Sequence, residues 1–300
     1  TDEMLYNEDS STWFGYYVQM LSNFAKIVEG NSADVVDDLK ITYGAPKDQI
    51  GAAELMSVYI WKRITDTFGP IPYENALGIE NLTPAYTKQE VIYKDLIKRA
   101  KAARDMLDAG LPGPTGDVMY GGDVTKWKKF ANSFILSASL QLSKKYPNAG
   151  GYAATEFSAA LGNAAGVIED VADEFWYTHQ NIPGAVNPFS GFRAADYSLA
   201  APFVDALKGN AGTTNTIDYS STTADARLTV FSSDPDSAGR PYGFDQTSGT
   251  YAKISQTVIS PGAPLPYMTA AYTYLNRAEA AERGWTSEVA ATMFTNGVTK

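Results

Sequence analysis

The sequence predicts a mainly α-helical protein with long loop excursions. Apolar residues recur at steps of three and four in several segments, which is the spacing of one helix face. Glycine and proline follow the ends of these segments, where helices commonly stop. The apolar fraction of 44% is typical of a globular chain with a core large enough to hold such helices together.

The strongest predicted helix covers residues 52–68. Val58 and Trp61 add apolar surface outside its main stripe, which indicates neighbours on more than one side. Gly69 is the expected C-cap, and the two prolines that follow prevent the helix from continuing. The main stripe consists of Ala52, Leu55, Met56, Tyr59, Ile60, Ile64 and Phe68.

Other segments carry weaker helical patterns. We expect a capping box between Thr87 and Glu90 at the start of one helix, and Asp123 as the N-cap of another. Pro147 should end the helix that Asp123 begins, and Gly209 should end a short one. The predicted helices cover about 13–28, 88–109, 124–146, 155–165, 201–208 and a last stretch from 286 onward.

Charge and composition exclude several classes of function. The chain has 34 acidic and 24 basic residues, a formal net charge of -10, so nucleic acid and anionic lipid are not expected partners. It has no cysteine for disulfides or thiolate zinc sites. No apolar run reaches the roughly 18 residues of a membrane span. The sequence begins with Thr1 and two acidic residues, whereas a signal peptide begins with basic ones. We therefore expect a cytosolic chain, or an exported one whose leader is absent.

Four segments resemble a known family. TDTFGPIPYENAL at 65–77 is similar to the signature segment of SusD-like proteins, particularly the SusD/RagB branch. YGGD with WKKFANS at 120–133, DARL at 225–228 and AEAAERGW at 278–285 match further segments in the family's order. Two departures stand out: the family's arginines are missing from FILSASLQL at 134–142, and Ala226 replaces a proline. The resemblance covers residues 52–300, nearly the whole chain.

The resemblance implies a lipid-anchored nutrient-binding protein on the bacterial outer surface. It implies tetratricopeptide-like helical hairpins within one domain over residues 1–300, which would lack the leader, its lipidated cysteine and a C-terminal part. The membrane would be reached only through that absent lipid anchor. The expected partners are a nutrient ligand, most often an oligosaccharide, and a SusC-like TonB-dependent transporter. No cofactor is expected.

One aromatic segment without helical period is the best candidate for ligand binding. A sugar ring has an apolar face that stacks on Trp or Tyr, and hydroxyls that bond to polar side chains. The segment DEFWYTHQN at 173–181 offers both kinds of group. The alternative is that Phe175 and Trp176 simply cover the helical core and bind no ligand. The candidate ligand-binding residues are Trp176, Tyr177, His179 and Asn181, followed by Tyr120 and Tyr242, which lie beside glycines and could equally be packing residues.

Catalytic and metal-binding patterns are weak. His179 is the only histidine, which argues against catalytic triads and imidazole zinc clusters. A glycosidase needs two carboxyl groups about 5 to 10 Å apart across the bond it breaks. Acids adjacent in sequence rarely achieve this, and the candidate pairs are Asp173 with Glu174, Asp234 with Asp236, and Asp37 with Asp38. The segment 234–236 also offers too few oxygens for calcium. We therefore predict neither a catalytic residue nor a metal site.

The sequence thus favours a binding protein that delivers a nutrient, and it leaves two alternatives open. One is a helical protein-interaction scaffold that binds no small ligand. The other is an α-helical glycoside hydrolase. The ligand itself could be a glycan, a peptide or another nutrient.

Overall fold

The computed structural model describes residues 13–32, 42–78, 81, 83–191, 197–209, 223–241 and 250–300. The chain divides into two compact units. The first, which we call the helical unit, comprises Glu8–Trp176 and Pro266–Lys300. The second, the loop unit, comprises Thr1–Asn7 and Tyr177–Leu265. The single domain predicted over residues 1–300 stays a prediction.

Helices dominate the described residues, so the predicted fold class is confirmed. The four strands in this described part are short, and they pair as β1 with β2 and β3 with β4. In chain order the elements are a π-helical segment Gly15–Leu21, α1 Ser22–Ser32, α2 Pro46–Phe68, β1 Ile71–Pro72, β2 Tyr86–Thr87, α3 Gln89–Met106, α4 Val124–Gln141, α5 Tyr152–Leu161, β3 Phe175–Thr178, α6 Ala201–Lys208, α7 Leu228–Phe231, α8 Gln256–Ile259, β4 Pro264–Met268, α9 Ala270–Glu282 and α10 Ala290–Thr299.

The helical unit is built from helices that pack against their neighbours in the chain. Helix α2 contacts α1 and α3, α4 contacts α3 and α5, and α9 contacts α10. Helix α4 also packs against α9, so one helix joins the early hairpins to the last one. This succession of helical pairs agrees with the hairpin arrangement that the resemblance implied.

Helix α2 is buried on several sides, as its all-round apolar surface predicted. Leu55, Val58 and Ile64 have no solvent-accessible surface. The helix begins at Pro46, earlier than predicted, because the missing N–H of proline costs nothing in a first turn. It ends as predicted at Gly69, whose φ of 75° suits a residue without Cβ.

Helix α4 runs through the centre of the helical unit. Its N-cap is confirmed: the Asp123 carboxylate accepts backbone hydrogen bonds from Thr125 and Lys126 at 3.0 and 3.2 Å. The helix ends at Gln141, before the predicted Tyr146, and a turn replaces its last residues. Phe130 and Phe134 are fully buried.

The same helix gives a physical reason for the missing arginines. Every residue from 134 to 140 is buried. A cation here would need a buried partner to offset its desolvation. Small and apolar side chains avoid this requirement.

The capping box predicted at Thr87 and Glu90 is wrong. Thr87 lies in β2, opposite Ile71 of β1, and α3 begins after Lys88 without a side-chain cap. Glu90 instead bonds to Lys94 on its own helix and to Tyr146. Thr87 therefore pairs with a neighbouring strand, although the local sequence pattern had placed it at the start of the helix.

The described residues of the loop unit form three short α-helices, α6, α7 and α8. Helix α6 ends at Gly209 as predicted, with φ of 68° in the left-handed region. The DARL segment forms a turn in which the Asp225 carboxylate accepts from the Arg227 guanidinium at 2.6 Å. In the described part of the chain, no helix combines the length and the apolar character needed to cross a membrane.

Candidate functional site

Trp176 lies in β3 with its indole tethered by a buried carboxylate. Its Nε1 donates to Glu174 Oε2 at 2.6 Å. The other oxygen of Glu174 accepts from the backbone N of Ala270 at 2.9 Å, at the first residue of α9. The same carboxylate thus holds the indole and the helix start, so the ring has a fixed orientation while remaining half-buried.

Phe175, the preceding residue, has a different role. It is fully buried, and its ring centroid lies 4.1 Å from that of Phe130 and 5.4 Å from that of Trp127. Successive side chains in a strand point to opposite faces, so Trp176 lies on the face opposite this core. Of these two aromatic residues, Phe175 is therefore the one whose side chain is part of the core.

Three predicted site residues belong to the loop unit: Tyr177, His179 and Asn181. The rings of Tyr177 and His179 meet edge to face, with centroids 4.9 Å apart. Both side chains are half-buried, and Asn181 is exposed. Their role in ligand binding stays a prediction.

Tyr120 is engaged by internal contacts. Its hydroxyl donates to the backbone oxygen of Asp173 at 2.9 Å, and its ring lies 5.3 Å from both Trp127 and Phe175. Burial raises its pKa above the usual value, which keeps the hydroxyl protonated. Its place in a ligand site stays a prediction. Tyr242 lies outside the described residues.

The acidic pairs considered for catalysis have structural partners. Asp173 bonds to Lys129 at 2.7 Å, and Glu174 holds Trp176 and α9. The Asp234 carboxylate accepts from Ser237. Asp37 and Asp38 lie outside the described residues. Among the residues that the structure describes, no group of three or more His, Cys, Asp or Glu is arranged to hold a metal ion.

The signature segment at 65–77 forms part of a charged network. Arg99 of α3 bonds to Glu54 of α2, and it donates to the Tyr73 hydroxyl at 2.7 Å. That hydroxyl donates in turn to Asp95. Burial raises the pKa of Tyr73. These bonds tie the segment to α2 and α3, which is a scaffold role. The network borders a hollow of about 1290 Å³ lined by Trp61, Tyr73, Glu74, Asn75, Asp95 and Arg99.

The structure also brings together aromatic residues that the sequence did not connect. Tyr59 of α2 lies with its ring centroid 5.6 Å from that of Tyr267 in β4. Tyr272 of α9 makes a 2.7 Å hydrogen bond to Ser137 of α4. The tyrosines belong to segments far apart in sequence, so only the fold could reveal their grouping. The signal available beforehand was the number of tyrosines, 19 in all.

Comparison with known proteins identifies the family. The profile of the SusD-like family described as "Starch-binding associating with outer membrane" matches residues 2–300. The chain belongs to this family. The resemblance seen in the four sequence segments is thereby confirmed.

Solved structures agree with this SusD-like assignment. The chain matches a chitin-binding protein at 25% identity and a TM-score of 0.73, with 97% of this chain and 62% of that chain covered. It matches a SusD homologue from Bacteroides vulgatus at 26% identity and a TM-score of 0.72, covering 96% of this chain and 56% of that one.

A third structure supports the fold alone. It is a chitin-binding SusD homologue from Flavobacterium johnsoniae, with 23% identity, a TM-score of 0.75, and coverage of 99% of this chain and 58% of that one. The chain therefore spans less than two thirds of each of these three proteins. A comparison with curated protein sequences finds no significant match.

Proposed function

We propose that this chain binds a glycan at the bacterial outer surface and delivers it to a SusC-like TonB-dependent transporter. The observation that carries the proposal is the family match over residues 2–300, since the family is described as starch-binding and associated with the outer membrane. The 25% identical chitin-binding relative supports a glycan ligand. Localisation at the cell surface through a lipid anchor belongs to the same proposal.

The proposed ligand contacts are Trp176, Tyr177, His179 and Asn181. The tethered indole of Trp176 supports this choice because a ring already fixed in place loses little conformational entropy when a sugar stacks on it. Asn181 supplies donors and an acceptor for sugar hydroxyls. Tyr120 and Tyr242 are weaker members of the proposed site, and Tyr120 is already occupied by packing contacts.

Binding without bond cleavage is part of the proposal. The described candidate acids are used in contacts that stabilise the fold, as with Asp173 and Lys129. A glycoside hydrolase would release shorter sugars, which chromatography of the incubated oligosaccharide detects. The proposal predicts that the oligosaccharide is recovered intact.

Isothermal titration with chitohexaose and maltoheptaose tests the ligand class. The parent chain should bind at least one of them. Trp176→Ala should weaken that affinity at least about tenfold, because about 1.4 kcal/mol is tenfold and tryptophan is enriched among interface residues that contribute about 2 kcal/mol or more. Tyr43→Ala, which removes a 56% exposed tyrosine elsewhere, is the matched control and should bind as the parent does.

The outcomes separate the alternatives. An intact Trp176→Ala fold, shown by circular dichroism, with unchanged affinity would remove Trp176 from the site. A parent chain that binds no glycan but forms a stable complex with the purified transporter would favour the helical scaffold. Immobilised chain that fails to retain the transporter would contradict the proposed partner.

A further inference from the structure

A second group of aromatic side chains lies on the helical unit. We call Tyr59, Arg63, Tyr267 and Tyr272 the tyrosine face. Tyr59 and Arg63 are four residues apart on α2, so they point to the same side of that helix. Tyr267 in β4 meets Tyr59 at 84° between ring planes. Tyr272 in the first turn of α9 lies close enough to Tyr59 to influence the electrostatics of its phenol, as does Arg63.

The rings of this face stand on a rigid floor. The centroid of Phe175 lies 6.3 Å from that of Tyr59 and 6.0 Å from that of Tyr267, and that of Phe130 lies 6.2 Å from Tyr59. Phe175 and Phe130 are fully buried. Fixed rings form a preorganised surface, on which a ligand orders few side chains when it binds.

Part of the tyrosine face is exposed to solvent. Tyr267 is 39% exposed and Tyr272 is 41% exposed, which is high for rings that also contact the core. Arg63 is exposed and Tyr59 is half-buried. The hydrogen bond between Ser137 and Tyr272 fixes the Tyr272 hydroxyl. The surface therefore combines apolar ring area with hydroxyl and guanidinium groups.

The buried phenol of the face suits an uncharged ligand. Burial raises the pKa of Tyr59 to about 12, so its phenol is neutral at physiological pH. Asp66, three residues beyond Arg63 on α2, is already bonded to Lys62 and to the Tyr93 hydroxyl. The guanidinium of Arg63 carries five N–H donors, which can bond to the hydroxyl and acetamido oxygens of a sugar.

We propose that the tyrosine face is a second glycan-binding surface, which stacks successive rings of a neutral oligosaccharide while Arg63 donates to its hydroxyl or acetamido oxygens. The inference rests on the proposed glycan-binding function and adds a site to it. Because Phe175 and Trp176 point to opposite faces of β3, the tyrosine face is a different surface from that of Trp176.

The test is isothermal titration of the parent and single variants with chitohexaose, and with maltoheptaose if the first does not bind. Tyr267→Ala and Tyr272→Ala should each weaken binding at least about fivefold. Arg63→Ala, at an exposed position that cannot endanger the core, should weaken it about threefold or more. Tyr86→Ala removes the 69% exposed tyrosine of β2 and should leave affinity unchanged.

Ligand length supplies a second measurement. If the tyrosine face stacks successive sugar rings, shortening chitohexaose to chitobiose should reduce the parent's affinity more than it reduces that of Tyr267→Ala. Equal reductions in the two proteins would contradict the second surface.

The failure of this inference is distinguishable from failure of the proposed function. A parent that binds neither glycan contradicts the proposed function and the tyrosine face with it. A parent that binds, with Trp176→Ala weakened and Tyr267→Ala, Tyr272→Ala and Arg63→Ala all within twofold, overturns only the tyrosine face. Variants that keep glycan affinity but lose the transporter would assign the face to a protein partner instead, since Tyr and Arg also form protein interfaces.

Discussion

The signature segment and strand β3 use aromatic residues in opposite ways. At the signature segment, the Tyr73 hydroxyl bonds to Asp95 and Arg99, and its ring packs 4.8 Å from that of Trp61. At β3, Trp176 is tethered at its nitrogen and is half-buried. The first arrangement satisfies the polar groups of Tyr73, Asp95 and Arg99 within the protein, and the second is where the proposed function places a ligand contact. The segment that best identifies the family is thus scaffold.

Replacing Phe175 should give the largest change in stability. Phe175→Ala removes a fully buried ring that contacts Phe130, Trp127 and Tyr59, which costs about 3 to 5 kcal/mol of unfolding free energy. Urea denaturation measures the loss. Val171→Ala, at a 60% exposed position, is the control. A change below about 1 kcal/mol would show that β3 is not anchored in the core as described.

Removing Arg99 should lower stability without changing glycan affinity, which would separate the scaffold from the ligand site. Arg99→Ala leaves Glu54 and Tyr73 without their shared partner, so we expect a loss of about 1 to 3 kcal/mol in unfolding free energy. Glycan affinity of the folded variant should equal that of the parent. A stable variant that binds glycan poorly would place the ligand site at the signature segment and would reverse the comparison.

Removing the N-cap of α4 should lower the unfolding free energy by a smaller amount. Asp123→Ala removes the carboxylate that accepts from two backbone N–H groups, at a cost of about 1 kcal/mol. Asp123→Asn should recover most of this stability because its amide oxygen can accept the same bonds. Thermal unfolding of both variants tests the cap. Equal stability of the alanine variant and the parent would argue against it.

Sequence reasoning located the elements whose signals are local. The C-cap at Gly69, the N-cap at Asp123 and the end of α6 at Gly209 each follow from the chemistry of one or two residues. The Thr87 capping box was wrong because pairing with Ile71, a long-range contact, takes that residue into β2.

The candidate site was only partly accessible to the same reasoning. An aromatic segment without helical period drew attention to β3. Its local pattern could not tell buried Phe175 from half-exposed Trp176, because that difference depends on which strand face meets α4. The grouping of Tyr59 with Tyr267 depends on the packing of α2 against a strand near the end of the chain.

The smallest expected effect is a change in the pKa of the Glu90 carboxyl group. The hydrogen bond from Tyr146 is the main reason that its pKa falls to about 2, with Lys94 and Lys145 contributing. A depressed carboxyl pKa stabilises the fold above the ordinary value of 4.5, and this stabilisation is lost as pH falls toward about 2. Tyr146→Phe should raise the Glu90 pKa, which a carboxyl-detected NMR titration measures. An unchanged pKa would assign the shift to the lysines.

The most direct measurement combines binding and product analysis in one sample. Chitohexaose and maltoheptaose are each titrated into the parent chain and into Trp176→Ala, and the sugar is then recovered and chromatographed. We predict that the parent binds at least one oligosaccharide, that the variant binds it at least about tenfold more weakly, and that the sugar returns at full length. Shortened sugars, or a parent that binds neither oligosaccharide, would contradict a glycan-holding protein that leaves its ligand intact.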